Sequence, residues 1–329
     1  MKKALVIGID DYPNNQLLGC VNDASVIARL LESNGDGAPN FDVRLLTSNQ
    51  TEISNEVLHT SISELFSGEA ETVLLFFAGH GNIDPNTQAG YIVSQNGSRC
   101  SLGMSISEIV GLANNAYPRI KSSVIVLDCC NSGFAGEVQG AGNLNVSSIG
   151  NGVTILTACH RDGTAAEVNG HGLFTEILID GLTGGAADIC GRITPASLYS
   201  HVDQVLGSWD QRPIYKANVQ RFITLREVAP KVPLAVLREL PFYFPDRTSI
   251  FNLDPSYEPD RKNVPEQFRH LPVNPVHTRI FKDLQLCNRH GLVIPVDADH
   301  MYYAAINSTG CKLTAMGAHY RKLAEMKRI

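Results

Sequence analysis

No stretch of this 329-residue chain approaches the roughly 18 consecutive apolar residues that a membrane-crossing helix needs. Long apolar runs such as Val73-Leu74-Leu75-Phe76-Phe77 have the length of a buried strand. Two lysines open the chain, but the apolar run after them is short, ends in Asp10-Asp11 and lacks a small-residue cleavage site. It reads as a first strand and not as an export leader. The eight cysteines include no CxxC and no Cys/His cluster of zinc-finger spacing. Adjacent Cys129-Cys130 is poorly placed for a disulfide. Without an export signal, reduced thiols and a cytoplasmic location are expected. A glycine-rich phosphate loop is also missing after the first strand, where Ile7-Gly8-Ile9-Asp10 stands, which argues against a nucleotide-binding protein. No loop has calcium-ligand spacing and Asp10-Asp11 is too small a site, so no metal and no cofactor is expected. Internal repeats and low-complexity segments are absent.

What is present divides unevenly. Residues 1–226 carry 13 Lys/Arg against 22 Asp/Glu (−9) and residues 227–329 carry 14 against 11 (+3), which together give the chain's −6. The acidic part argues against nucleic acid as a partner and suits a basic substrate. Within it, apolar runs at residues 4–9, 43–46, 72–78, 123–127 and 153–157 alternate with helix-like patterns near 21–31, 53–66, 106–113, 173–182 and 195–206. Continuous apolar runs are strands covered on both faces. The expected fold is therefore α/β, a mainly parallel sheet between two helix layers, with the active site at the carboxyl ends of the strands. Nine of the sixteen prolines fall in residues 228–275. Residues 227–275 are expected to form an extended connector. Residues 276–329 then form a small α/β domain, with helices over 278–290, 297–307 and 315–327 and a strand over 291–296.

Two strand tips carry chemistry. The run 73–77 leads into Ala78-Gly79-His80-Gly81, and flanking glycines leave the histidine free to project into a cleft. Alone, this is equally a plain turn histidine. The run 123–127 leads into Asp128-Cys129-Cys130-Asn131-Ser132-Gly133. A lone buried cysteine is ordinary core, which suits Cys129. Cys130, one step on, faces the other way, toward the cleft. A thiolate needs a base and donors for an oxyanion. His80 can supply the base, and the backbone N–H groups of Gly81 and Cys130 the donors.

Together these features resemble the caspase and metacaspase superfamily of cysteine peptidases: strand-GHG, then strand-D-x-C-x-S-G, with about 50 residues between His80 and Cys130. Further points of likeness are Gly8-Ile9-Asp10-Asp11-Tyr12, Leu18-Gly19-Cys20-Val21-Asn22-Asp23-Ala24, Gly172-Leu173-Phe174-Thr175 and Gln211-Arg212-Pro213. The likeness spans residues 1–226. It implies a caspase-like three-layer sandwich, Cys130 as nucleophile and His80 as catalytic partner. A second GHG, Gly170-His171-Gly172, precedes a helix instead of following a strand and is the weaker candidate. The likeness also implies that Asp23 and Asp128, with Cys20 and Ala78, line the pocket for the residue before the cut. An acid pair there would select Arg, and Lys second, over Asp. Metacaspases carry serine where Ala78 stands.

Caspase-like peptidases with added domains occur in bacterial stress and antiviral systems. A partner effector activated by cleavage is the implied substrate. The tail, with Lys312-Leu313-Thr314-x-x-Gly317, resembles the end of a winged-helix module, expected to dock protein rather than DNA because its charge is only slightly positive. The rival from another class is a caspase-like pseudoenzyme acting as a scaffold, against which the intact His80 and Cys130 argue. Residues 129–160 hold no Lys, Arg or Asp. A protease that cuts after basic residues is thus expected to work uncut, with the glycine-rich residues 133–152 ordering around substrate. Intact-mass spectrometry of active enzyme should show no self-cleavage within 129–160.

Overall fold

A computed structural model describes the chain except residues 85, 88, 99–100, 130–136, 140–144, 159–166, 169–170 and 207–212; for 137–139, 145–147, 167–168 and 171 it describes the backbone alone. The chain divides into two compact units, Met1–Ala229 and Pro230–Ile329.

In the first unit the doubly apolar runs become β1 (Lys2–Gly8), β2 (Phe41–Thr47), β3 (Ala70–Ala78), β4 (Ile120–Asp128) and β5 (Val153–Thr157), joined by β6 (Ile214–Asn218). They form one sheet in the order β6-β5-β4-β3-β1-β2, parallel throughout except for the antiparallel edge strand β6. Alternate side chains on each strand enter different cores. Val6, Leu74, Phe76 and Val126 join the cluster under α1 (Cys20–Glu32), α4 (Leu173–Asp180) and α5 (Pro195–Leu206). Leu5, Ile7, Leu75, Phe77 and Leu127 join the one under α2 (Asn55–Leu65) and α3 (Ile106–Ala116). This is the three-layer arrangement. Ser54 and Ser105 start α2 and α3 by accepting the Val57 and Glu108 N–H groups at 3.3 and 3.1 Å.

The sheet order reverses direction between β1 and β3, because β2 lies to one side and β4 and β5 to the other. A crevice opens beyond the carboxyl ends of strands at such a switch point. Strands 81–83, 90–98 and 101–105 form a small antiparallel sheet directly after β3. Neither this sheet nor β6 is marked by an apolar run, and sequence patterning misses both. Short strand pairs also join 137–139 to 145–147 and 167–168 to 171–172.

The second unit corrects the expected connector. Residues 230–275 belong to this compact unit and supply α6 (Leu234–Tyr243) and β7 (Ile250–Asn252). Leu237, Leu240 and Phe244 are fully buried, and that burial outweighs the dense proline. One proline, Pro275, occupies the first turn of α7 (Pro275–Arg289), where the missing N–H costs nothing. Then come β8 (Val293–Val296), α8 (Met301–Ile306), β9 (Gly310–Leu313) and α9 (Ala315–Glu325), with a sheet ordered β7-β9-β8. The helix expected over 297–307 is shorter, and β9 is an addition to the expected order. Thr314 caps α9, its hydroxyl accepting the Gly317 N–H at 3.0 Å.

Phe76 is 1% exposed at the centre of the first unit. Phe76→Ala should lower unfolding free energy by about 3–5 kcal/mol, read as a lower midpoint in urea denaturation followed by circular dichroism.

Candidate active site

The switch-point crevice receives three chain segments: the loop after β1, the turn after β3 and the end of β4. Parallel pairing puts Ala78 opposite both Gly8 and Asp128. The Gly79 N–H donates to the Asp128 carbonyl at 3.3 Å. The two strand tips singled out in the sequence are therefore neighbours.

His80 is half-buried, and its main chain is pinned on both sides. Its N–H donates to the Tyr12 hydroxyl at 3.0 Å, and its carbonyl accepts the Val93 N–H at 2.9 Å. The ring Nε2 lies 2.6 Å from the Asn15 carbonyl oxygen. A carbonyl can only accept, so Nε2 carries the hydrogen, and in the neutral ring Nδ1 keeps the lone pair. Asn15 presents that carbonyl from a left-handed backbone, φ +67°, a conformation asparagine tolerates. Tyr12 is buried, and burial pushes its phenol well above its ordinary range.

The 10–15 loop is held in turn. The Asp10 carboxylate accepts the Cys20 and Val21 N–H groups at 2.8 and 3.2 Å and so caps α1 from outside the helix. Ser48 Oγ accepts from the Asp10 N–H and donates to Asp11 Oδ2. Gln95 Nε2 donates to the Asp11 carbonyl at 3.0 Å. Asp10 and Asp11 thus have structural work. Among the described residues no cluster of three or more His, Cys, Asp or Glu is placed to hold a metal ion.

Two candidate pocket acids converge. Asp23, in the first turn of α1, is 1% exposed, and Asp128 is 6% exposed. Asp23 Oδ2 accepts the Gly172 N–H at 2.9 Å, and Asp128 Oδ2 accepts the Thr175 hydroxyl at 2.5 Å. A Cβ on Gly172 would lie 2.5 Å from Asp128 Oδ2 and 3.4 Å from Asp23 Oδ2. Both carboxylates therefore close on one glycine at the start of α4. Cys20 and Ala78 lie buried in the apolar cluster on the α1 and α4 side of the sheet. Gly81 opens the strand paired to Ile92. Cys129 is 1% exposed among Leu127 and Ile155, in the core below α2 and α3. Cys130, Asn131, Ser132, Gly133, Gly170, Gln211 and Arg212 lie outside the described residues, as does the His171 side chain.

Sequence reasoning misses Asn15, Tyr12 and Thr175 as parts of the site. Asn15 acts through its main chain, which has no side-chain signature. Tyr12 and Thr175 stand within the family-like motifs, where nothing in the pattern assigns them a task.

The family model of the caspase domain matches residues 1–223. Among solved structures, a Geobacter sulfurreducens protein is similar at 14% identity and a TM-score of 0.50, over 70% of this chain and 97% of that one. Caspase-1 from Spodoptera frugiperda is similar at 11% identity and a TM-score of 0.50, over 69% and 90%. A search of curated proteins gives no match. At such identities the structural likeness carries the fold alone.

Removing the remote cap should be felt in stability. Asp10→Ala should cost about 1–2 kcal/mol, measured as a shifted midpoint in chemical denaturation.

Proposed function

Because the chain belongs to the caspase-domain family, whose members are cysteine peptidases, we propose that it is an endopeptidase that cuts after Arg, and less readily after Lys, using Cys130 and His80. The observation that supports this best is the placement of His80. It stands at a strand tip beside the chain leading to Cys130, with Nε2 engaged by the Asn15 carbonyl and Nδ1 left to act as base. Cys129 is buried in the opposite core, which leaves Cys130 as the thiol for the crevice.

His80 Nδ1 takes the proton of the Cys130 thiol, and the imidazolium is steadied by the Asn15 carbonyl on its other nitrogen. The thiolate attacks the peptide carbonyl carbon. The oxyanion formed is held by the N–H groups of Gly81 and Cys130. The C–N bond then breaks as His80 returns the proton to the leaving amine. Water, deprotonated by His80, attacks the thioester and releases the acid and the free thiol. Asp23 and Asp128 meet the substrate's guanidinium. Two buried carboxylates this close favour a cationic guest and oppose an anionic one.

By family analogy alone, the setting is bacterial stress or antiviral defence in the cytoplasm. The substrate would be a partner effector, docked by the second unit and activated by cleavage. No helix among the described residues is long and apolar enough to cross a membrane.

The test compares wild type, Cys130→Ala, Cys129→Ala, Asp23→Asn and Asp128→Asn on fluorogenic peptides ending in Arg, Lys or Asp. Cys130→Ala should abolish turnover and Cys129→Ala should keep it. Each Asp→Asn change should lower kcat/KM on the Arg peptide by about 10²-fold. Equal loss in both cysteine variants, or cleavage of the Asp peptide, would refute the assignment. Activity in none of them would favour the scaffold.

A further inference from the structure

His80 sits in a broken strand pair. Gly81 pairs with Ile92 in the antiparallel sheet that follows β3, so the next pair in register is His80 with Val93. Residues in a hydrogen-bonded antiparallel pair exchange both N–H···O bonds. Here only one is made directly, from the Val93 N–H to the His80 carbonyl at 2.9 Å. The other is replaced. The His80 N–H donates to the Tyr12 hydroxyl at 3.0 Å, and that hydroxyl donates to the Val93 carbonyl at 3.1 Å. The phenol is wedged into the ladder where the strand should close.

Two further contacts belong to the same wedge. The Tyr12 ring lies 4.5 Å from the imidazole, centroid to centroid, tilted by 51°. That geometry packs the phenol face against the imidazole and supports its orientation. A Cβ at Gly79 would come within 2.5 Å of the Tyr12 hydroxyl and 2.9 Å of Phe77 Cζ. The first glycine of Gly-His-Gly therefore makes room for this hydroxyl. Tyr12 is 4% exposed, and burial keeps its phenol protonated far above neutrality, so its hydroxyl can both accept and donate throughout the working range. Three residues further on, the same loop supplies the Asn15 carbonyl to Nε2.

We propose that Tyr12 is a positioning residue for His80: its hydroxyl holds the His80–Val93 pair open and its ring fixes the imidazole against the Asn15 carbonyl. The proposal rests on the reading of His80 as the base of the proposed peptidase. Tyr12 transfers no proton in the proposed reaction. It acts through the orientation of the imidazole.

Tyr12→Phe keeps the ring and removes the wedge. It should lower kcat on an Arg-ending peptide about tenfold, because a base displaced by a fraction of an ångström loses much of its effect. KM should stay within about twofold, since the acid pair is untouched. In the Cys130→Ala background, the His80 Nε2–H proton signal should be present with Tyr12 intact and broadened or shifted once Tyr12→Phe is added. This arm needs no catalysis. If wild type is inactive, the peptidase reading fails, and the proton signal still decides whether Tyr12 places the ring. Gly79→Ala retains Tyr12 but crowds its hydroxyl, and should reproduce both effects should Tyr12→Phe not fold. Leu58→Ala, on the buried face of α2, is the control for plain destabilisation and should keep kcat. A wild-type kcat and an unmoved His80 signal in Tyr12→Phe would overturn the proposal. So would an equal fall of kcat in Leu58→Ala.

Discussion

The parallel register that sets Ala78 against Asp128 brings the ends of β3 and β4 together, and the rest of the first unit is arranged around it. Side chains alternate along a strand, so a slip of one residue would send every inward residue of β3 or β4 to the other face. The alternation is enforced by full burial. Leu75 and Phe77 face one core, and Leu74 and Phe76 face the other. Neither face can reach water without exposing a large side chain, at a cost of about 1.5–3 kcal/mol each. The turn after β3 and the chain after β4 are thus delivered side by side. The same constraint puts Cys129 inside the core and Asp128 toward α4.

Electrostatics then divides the crevice. Taking carboxylates out of water is costly unless they are satisfied. Asp23 meets the Gly172 N–H and Asp128 the Thr175 hydroxyl, both at the start of α4, where backbone N–H groups point outward. These donors offset part of that cost at a corner that holds two carboxyl groups. On the far side the histidine is managed by neutral groups, a phenol and a carbonyl, so its ring is oriented without an added charge. One short loop supplies both of those groups, and Asp10 ties that loop to α1.

Much of this was legible in the residues. The interior strands β1, β3, β4 and β5 announce themselves because burial on both faces leaves unbroken apolar runs, and the helices through their amphipathic spacing. What escaped has a physical reason. The strand 81–83 begins in Gly-Asn and mixes with turn residues. β6, Ile-Tyr-Lys-Ala-Asn, is an edge with one face only partly covered. Residues 230–275 read as connector because proline density is a strong local signal, whereas Leu237, Leu240 and Phe244 bury themselves through contacts that composition does not encode. The Thr314 cap is a local signal, since its hydroxyl reaches only three residues ahead. Asp10 caps a helix that starts ten residues later, and Asn15 contributes an oxygen every residue owns, so neither has a local pattern.

The wedge at His80 also bears on how genes of this kind are judged. A protein translated from a start site beyond residue 15 would still contain the imidazole and the thiol, and would pass any inventory of dyad residues. It would nonetheless lack the carbonyl and the phenol that contact the His80 ring and main chain, and the acid that anchors their loop. Such a deletion would also take away β1, the strand paired to both β2 and β3, so the loop and the sheet that carries it are lost together.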